Sequence, residues 1–540
     1  MSPLTLETPT SVPAFRIAPF SCSYDTIPYP SRPFEDSHPD HLYTMARLFQ
    51  LNPQLPDEAR ILELGCGSGG NLIPVAEQLP RASFVGLDLS TKQITEGLGF
   101  VDAMKLTNVR LLAQDFSHID PSLGNFDYII CHGVFSWVPP EVQRRILEIC
   151  RDRLNPNGVA YISYNANPGW FMRGMIRQMM LHHVDNVADP IIKVQQARAL
   201  LSFLVDSTEG HDTAYANFLR HESDLLAKQS DAYLFHEHLE DNNHPLFFYE
   251  FVELAAANGL QFMSECNLAS MITSNLPDKV AQTLTRLTND LHDRSQYTDF
   301  VTNRLFRQSL LCHKGAQVVR KIDDGCIPGM FFSAQLRAEK LALGQDLSPT
   351  ASVSFNCEGG RIITTSNPIL KALMYTLADA WPASLTLPQL CQVIEQRLSG
   401  IDQATNTDHQ SVVDECESHL LHMLVRGDLK FRYVHDRFVR EISQRPAVSH
   451  YARLQSRDGN DITTLRHVTV VADSLSRIII NALDGARTKE DLVSLLSEML
   501  AEGKITANSQ GRSIEDLTSV FRISVDRNLE TLRRAALLAK

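Results

Sequence analysis

At 540 residues, with 44 % apolar and 21 % charged residues, the chain has the composition of a soluble globular protein of about three domains. A net charge of −13 argues against extended binding to nucleic-acid phosphates or to an anionic membrane surface, and suits basic partners, lysine-bearing proteins among them. The ten cysteines are scattered without a C-x-x-C pair, which speaks against a zinc site or a disulfide framework and fits reduced thiols.

The opening MSPLTLETPTSVPAF lacks a basic segment followed by an apolar one, and no apolar run is long enough to span a bilayer. A cytoplasmic chain is expected. SYDTIPYPSRPF, from residue 23, is rich in proline and aromatics and leads into a helix. It reads either as an arm packed on the core or as a flap over a ligand, with Tyr29 or Phe34 lining the pocket.

From residue 60 strands and helices alternate. RILELG (60–65), SFVGLDL (83–89), VRLLAQD (109–115), FDYIICHG (126–133) and GVAYISYN (158–165) are short apolar runs of strand type. Helical spacing falls between them at 71–79, at 91–105 behind a Ser90 cap, and at 140–154, the last stopping at Asn157-Gly158. Such alternation implies parallel crossovers, hence an α/β doubly wound sheet with its ligand at the carboxyl ends of the strands.

Those ends carry the chemistry. In ELGCGSGGN, Gly65, Gly67 and Gly69 let backbone approach a ligand, while Glu63 places a carboxylate before them, repelling pyrophosphate and welcoming a cationic amino-acid moiety. Asp88 ends the second strand, where it can accept from both hydroxyls of a ribose. Asp115 ends the third and can accept from an adenine amine, with Phe116 against the base. Each acid alone also fits a solvent-facing strand end; three at successive ends behind a glycine loop form a pattern.

This pattern resembles the class I S-adenosylmethionine-dependent methyltransferases, with S-adenosyl-L-methionine as the implied cofactor. Glu63, Gly65, Gly67, Gly69, Asp88 and Asp115 fall on that family's cofactor positions, with Cys66, Leu89, Phe116, His132 and Tyr29 as further candidates. The resemblance implies a Rossmann-like seven-stranded domain completed downstream. A helix in YEFVELAAANGL, a sixth strand at 260–266 and a last, antiparallel strand at 305–314 would close it near residue 315. Helical insertions at about 170–245 and 268–303 would then lie over the active-site edge as a lid or substrate platform. FHEHLEDNNH offers His236, His238 and His244, but not the H-E-x-x-H spacing that binds zinc, so no metal is expected.

Residues 316–365 read as loops and strands with a hairpin at Gly359-Gly360, followed by helices and a strand; the tail repeats that scheme. α+β winged-helix-like domains are expected at 316–440 and 441–540 behind an arm at 1–59. No basic recognition helix stands out, which favours protein interaction or a homodimer over nucleic acid.

Enzymes that methylate nucleobase amines carry Asp/Asn-Pro-Pro-aromatic at the end of strand four. Here that strand ends Cys131-His132-Gly133-Val134, and Pro139 and Pro140 open a helix instead. SYNANPGW, YPSRPFEDSHPD, FHEHLEDNN and NRLFRQSLLCH together resemble the bacterial methyltransferases with a "methyltransferase regulatory domain", a family that includes enzymes acting on lysines of outer-membrane proteins. A lysine must attack as a neutral amine, which a desolvated aromatic pocket favours. His132, Trp137, Tyr164, Asn165 and Trp170 are the catalytic candidates, Tyr164 and Asn165 as hydrogen-bonding orienters. Trp137 fits core packing equally well, and Asn165 and Pro168 fit a turn. A small-molecule methyltransferase and a non-catalytic cofactor-binding regulator remain as alternatives.

Overall fold

The run Ile61–Leu64 is buried on both faces because it lies mid-sheet, as near-continuous apolar strands do in parallel sheets. A computed structural model describes residues 23–116, 119–339, 345–399, 408–506 and 514–539. The segment read for a leader lies outside them. Strands β1 (Arg60–Leu64), β2 (Ser83–Asp88), β3 (Val109–Ala113), β4 (Phe126–Cys131), β5 (Leu154–Asn165), β6 (Leu260–Glu265) and β7 (Phe306–His313) form one sheet in the order β3-β2-β1-β4-β5-β7-β6. β7 runs antiparallel to both its neighbours, as expected.

Helices α1 (Ser23–Thr26) and α2 (Pro39–Leu48) precede the sheet, and α3 (Ile73–Gln78), α4 (Thr91–Met104) and α5 (Pro140–Arg153) connect its strands. Ser90 caps α4 by accepting from Gln93 N at 3.1 Å. Two boundaries differ from expectation. α3 starts at Ile73 with Pro74 in its first turn, where a missing N–H costs little. α5 closes at Arg153, and Pro156-Asn157-Gly158 continues β5 rather than capping the helix, since Leu154 already pairs with Phe126.

After β5 come α6 (Gly169–Val184), α7 (Pro190–Ser207), α8 (Ala214–Leu226) and α9 (Asp231–Leu234), around their own core of Ile176, Met180, Leu201, Leu219 and Phe235. The next helix, α10 (Phe248–Ala257), leads into β6, and α11 (Asp278–Leu287) and α12 (Leu291–Thr302) separate β6 from β7.

Beyond the sheet, β8 (Phe331–Ser333), β9 (Leu336–Ala338), β10 (Val353–Cys357) and β11 (Ile362–Thr365) precede α13 (Pro368–Ala380), β12 (Leu385–Thr386), α14 (Leu387–Leu398), α15 (His409–Arg426) and β13 (Lys430–Arg432). One apolar cluster runs from Leu42 and Met45 on α2 through Tyr161 to Phe332, Leu373 and Leu420, so this region shares a core with the sheet. The last part holds β14 (Ala447–Val448), α16 (His450–Asp458), the hairpin of β15 (Asp461–Thr463) and β16 (Thr469–Val471), α17 (Ser474–Ala482), α18 (Lys489–Ala501), α19 (Ile514–Arg534) and β17 (Leu538–Ala539). Its own core is built on Ile480, Leu496, Val525 and Leu529. Among the described residues no helix is long and apolar enough to cross a membrane.

Candidate active site

The turn after β1 needs glycine. Gly65, Gly67 and Gly69 have φ of +76°, +55° and +77°, a region L side chains rarely adopt. Asp88 holds this loop: one carboxylate oxygen accepts from Gly67 N at 2.8 Å and the other from Ser90 N at 2.9 Å. Burial raises the Asp88 carboxyl, opposed by these amides. Cys66 is buried within the loop, Leu89 and Asp115 are exposed past the ends of β2 and β3, and Phe116 is buried in one apolar cluster with Val85 and Ile129.

Glu63 is fully enclosed. Its Oε1 accepts from Asn71 Nδ2 at 2.9 Å, while its Oε2 has no hydrogen-bond partner among the described residues. Burial pushes its carboxyl up to about 8, against the Asn71 bond and with Asp88 adding to the rise. A buried carboxylate oxygen without a donor, a positive-φ glycine loop and a second acid at the next strand end fit the ammonium, chain and ribose of S-adenosylmethionine.

The arm crosses this loop. Gly70 N donates to Ser31 Oγ at 2.8 Å, Phe34 N donates to Asn71 Oδ1 at 3.0 Å, and Gln93 Nε2 reaches Tyr29 O at 3.2 Å. Tyr29 meets the His236 ring edge-on at 5.6 Å, and His236 in turn bonds Ile27 O and Glu240. Of the histidines of FHEHLEDNNH, His236 thus braces the arm. Among the described residues no group of three or more His, Cys, Asp or Glu is placed to hold a metal. A Cβ at Gly70 would run into the Ser31 carbonyl. Gly70→Ala is therefore expected to lift the arm: chymotryptic cleavage after Phe34 should be about 10-fold faster than in the wild type, at an overpacking cost of about 1–3 kcal/mol. Unchanged cleavage would refute the clamp.

Just past β4, the Phe34 ring stacks on His132 at 3.6 Å. Gln308 Nε2 donates to the Tyr161 hydroxyl at 3.0 Å, and that hydroxyl shares a hydrogen bond with His132 Nδ1 at 2.7 Å. Burial holds His132 neutral, with its pKa down to about 3. His132 is therefore a stacked neutral ring whose Nδ1 is engaged, a poor proton acceptor. Trp137, partly exposed, and Trp170, buried, meet edge to face at 6.0 Å. Asn165 is buried, with its N–H on Ser136 Oγ and its Nδ2 on Asn243 Oδ1 at 3.0 Å, so it braces the loop before α10. Tyr164 is not brought to this group. It points to the opposite face of β5, stacked on Phe251 at 4.2 Å within the core.

Sequence reading missed Ser31, Asn71, Tyr161 and Gln308, and also His467, whose Nε2 bonds Asn71 Oδ1 at 2.7 Å from the far end of the chain. No local signal marks any of these.

Three family models match: "Methyltransferase domain" at residues 62–160, "Predicted methyltransferase regulatory domain" at 230–313 and "PKMT, C-terminal winged helix domain" at 444–537. An uncharacterised protein of Rickettsia prowazekii (strain Madrid E) is 35 % identical over 91 % of this chain and 89 % of its own length. A second protein of that organism is 46 % identical over 43 % of this chain and 93 % of its own length. The solved structure of PKMT2 from Rickettsia typhi superposes with a TM-score of 0.86 at 33 % identity, covering 95 % of this chain and all (100 %) of that one; it has also been solved in complex with AdoHcy.

Proposed function

Because the chain belongs to the family of PKMT2 from Rickettsia typhi and is an S-adenosylmethionine-dependent methyltransferase, we propose that its acceptor is the side-chain amine of lysine in a protein. The observation that carries this reading is likeness along the whole chain, regulatory and winged-helix parts included, to a protein lysine methyltransferase. S-adenosylmethionine supplies a methyl group activated on a sulfonium. The chain's own residues bind, align and exclude water. The glycine loop and Asp88 hold the ribose side, and Glu63 faces the ammonium. Phe34, Trp137 and Trp170 provide aromatic walls that desolvate a lysine stem and favour its neutral amine. His132 takes no proton; the amine loses its proton to water before attack.

The same reading divides the chain into an arm (1–59), a methyltransferase domain (60–315) and winged-helix-like parts at 316–440 and 441–540. It places the protein in the cytoplasm, without nucleic acid as substrate. A homodimer is favoured by Phe171, Met172, Ile191 and Phe203, which α6 and α7 leave exposed. Sedimentation of the full chain tests this.

Incubating the protein with labelled S-adenosylmethionine and a bacterial lysate should put label into the protein fraction, recovered as methylated lysine after acid hydrolysis. Label confined to small molecules would sink the proposal and favour a small-molecule acceptor.

The raised Glu63 carboxyl gives a pH dependence with a definite sign. At pH 7 a carboxyl with a pKa of about 8 carries its proton. The cofactor ammonium favours the carboxylate, so binding releases up to about one proton at pH 7, and affinity rises by up to about tenfold per pH unit from 6 toward 8. Above about pH 8 the cofactor's own amine loses its proton and the gain stops. Titration calorimetry in buffers of different ionisation heat reads the proton count. Glu63→Gln should bring it to zero, and a count of zero in the wild type would remove Glu63 from the ammonium site.

A further inference from the structure

The hairpin of β15 and β16 drives its tip into the methyltransferase domain. Arg466 seats it: the guanidinium lies 4.3 Å from the Trp381 ring centre, with bonds to Pro382 O at 2.6 Å and Ser333 Oγ at 3.0 Å. At the turn, His467 takes φ of +64° and donates its N–H to Thr464 O at 2.9 Å. Its ring is fully buried, edge-on to His38 at 5.2 Å, in a small cavity walled by Ser37, Glu63, Asn71 and Leu72. A buried imidazole on a left-handed, non-glycine backbone is unfavourable on both counts. The ring's hydrogen bond is to Asn71, and among the described residues its Nδ1 has no partner.

The protons in this cluster can be placed. Phe34 N–H can only donate, so the Asn71 atom it meets at 3.0 Å is the amide oxygen. Asn71 Nδ2 therefore points to Glu63 at 2.9 Å, and His467, bonding that same oxygen at 2.7 Å, must carry its proton on Nε2. One asparagine thus joins three parts of the chain: the arm at Phe34, the carboxylate facing the cofactor ammonium and the hairpin of the C-terminal winged-helix domain.

We propose that His467 is a positioning residue for the cofactor: by fixing the Asn71 amide it holds Glu63 in its binding geometry, and so couples docking of the C-terminal domain to S-adenosylmethionine affinity. The coupling concerns the cofactor alone and does not depend on lysine being the acceptor.

The test uses the full chain and S-adenosylhomocysteine, which carries the same ammonium, with no acceptor present. His467→Leu fills the space without a donor and should raise the Kd about 10-fold; His467→Gln restores a donor toward Asn71 and should stay within about 2-fold of wild type. In a Glu63→Gln background His467→Leu should add less than about 2-fold, since both act through one bond chain. A wild-type Kd for His467→Leu, a Gln variant as weak as Leu, or an undiminished effect beside Glu63→Gln would each overturn the proposal. Linkage supplies a test on the unmutated protein: saturating S-adenosylhomocysteine should slow amide exchange of residues 461–471 by several-fold. Identical exchange with and without ligand also overturns it.

Discussion

Asp88→Ala is expected to weaken S-adenosylmethionine binding by about 100-fold. Two effects add. The carboxylate ends β2 where a ribose diol would meet it, and each charge-assisted bond to a hydroxyl is worth about 1.5–3 kcal/mol. It also ties Gly67 N–H and Ser90 N–H together at 2.8 and 2.9 Å, so its removal frees the glycine loop from the first turn of α4. About 3 kcal/mol in total corresponds to the stated factor. Asp88→Asn keeps one acceptor oxygen but turns an amide donor toward an N–H, so its loss should be about 10-fold or more. Calorimetric titration of both variants, with melting curves to show that the fold persists, checks this. Equal Kd values for Asp88→Ala and the wild type would remove the strand end as the ribose site.

What could be read from sequence follows the range of the interactions. Gly65, Gly67, Gly69, Asp88 and the Ser90 cap are local: each lies within a strand, a turn and a helix start, and each takes the place its neighbours dictate. Asn71, Ser31 and His467 are held by contacts across 8 to 396 positions, which periodicity cannot register. The placing of Tyr164 shows another limit. β5 is buried on both faces, so apolar alternation does not say which parity faces the site. Pairing with β4 and β7 settles it: Tyr161 and Ser163 face the His132 side, and Tyr164 the α10 side. The early start of β5 has the same cause, since Asn-Gly is a helix stop only where no neighbouring strand pairs with it.

Arg307→Met is expected to cost about 3–5 kcal/mol of stability and to lower the melting midpoint of the methyltransferase part by about 10 °C. Arg307 is enclosed where β7, β6 and α12 meet. Its Nε and Nη2 reach the two oxygens of Asp299 at 2.8 and 2.9 Å, its Nη1 reaches Glu265 at 2.7 Å, and its Cζ lies 3.8 Å from the centre of the Phe248 ring. Burial works against the Glu265 carboxylate, yet Arg307 and Arg304 keep its pKa below the usual value; at Asp299 burial wins and the pKa is raised. Without Arg307, two buried carboxylates share Arg304 alone. Their pKa values then rise, and a carboxyl whose folded pKa is raised loses stability as pH climbs through it. The deficit of Arg307→Met against wild type should therefore be largest at pH 7 and above and shrink toward pH 5. Adding Glu265→Gln should recover part of it, because one uncompensated charge is removed and the amide still bonds Ser309. Melting curves at pH 5 and pH 8 read both signs, and a deficit independent of pH would show that packing against Phe248, rather than charge, is what Arg307 contributes.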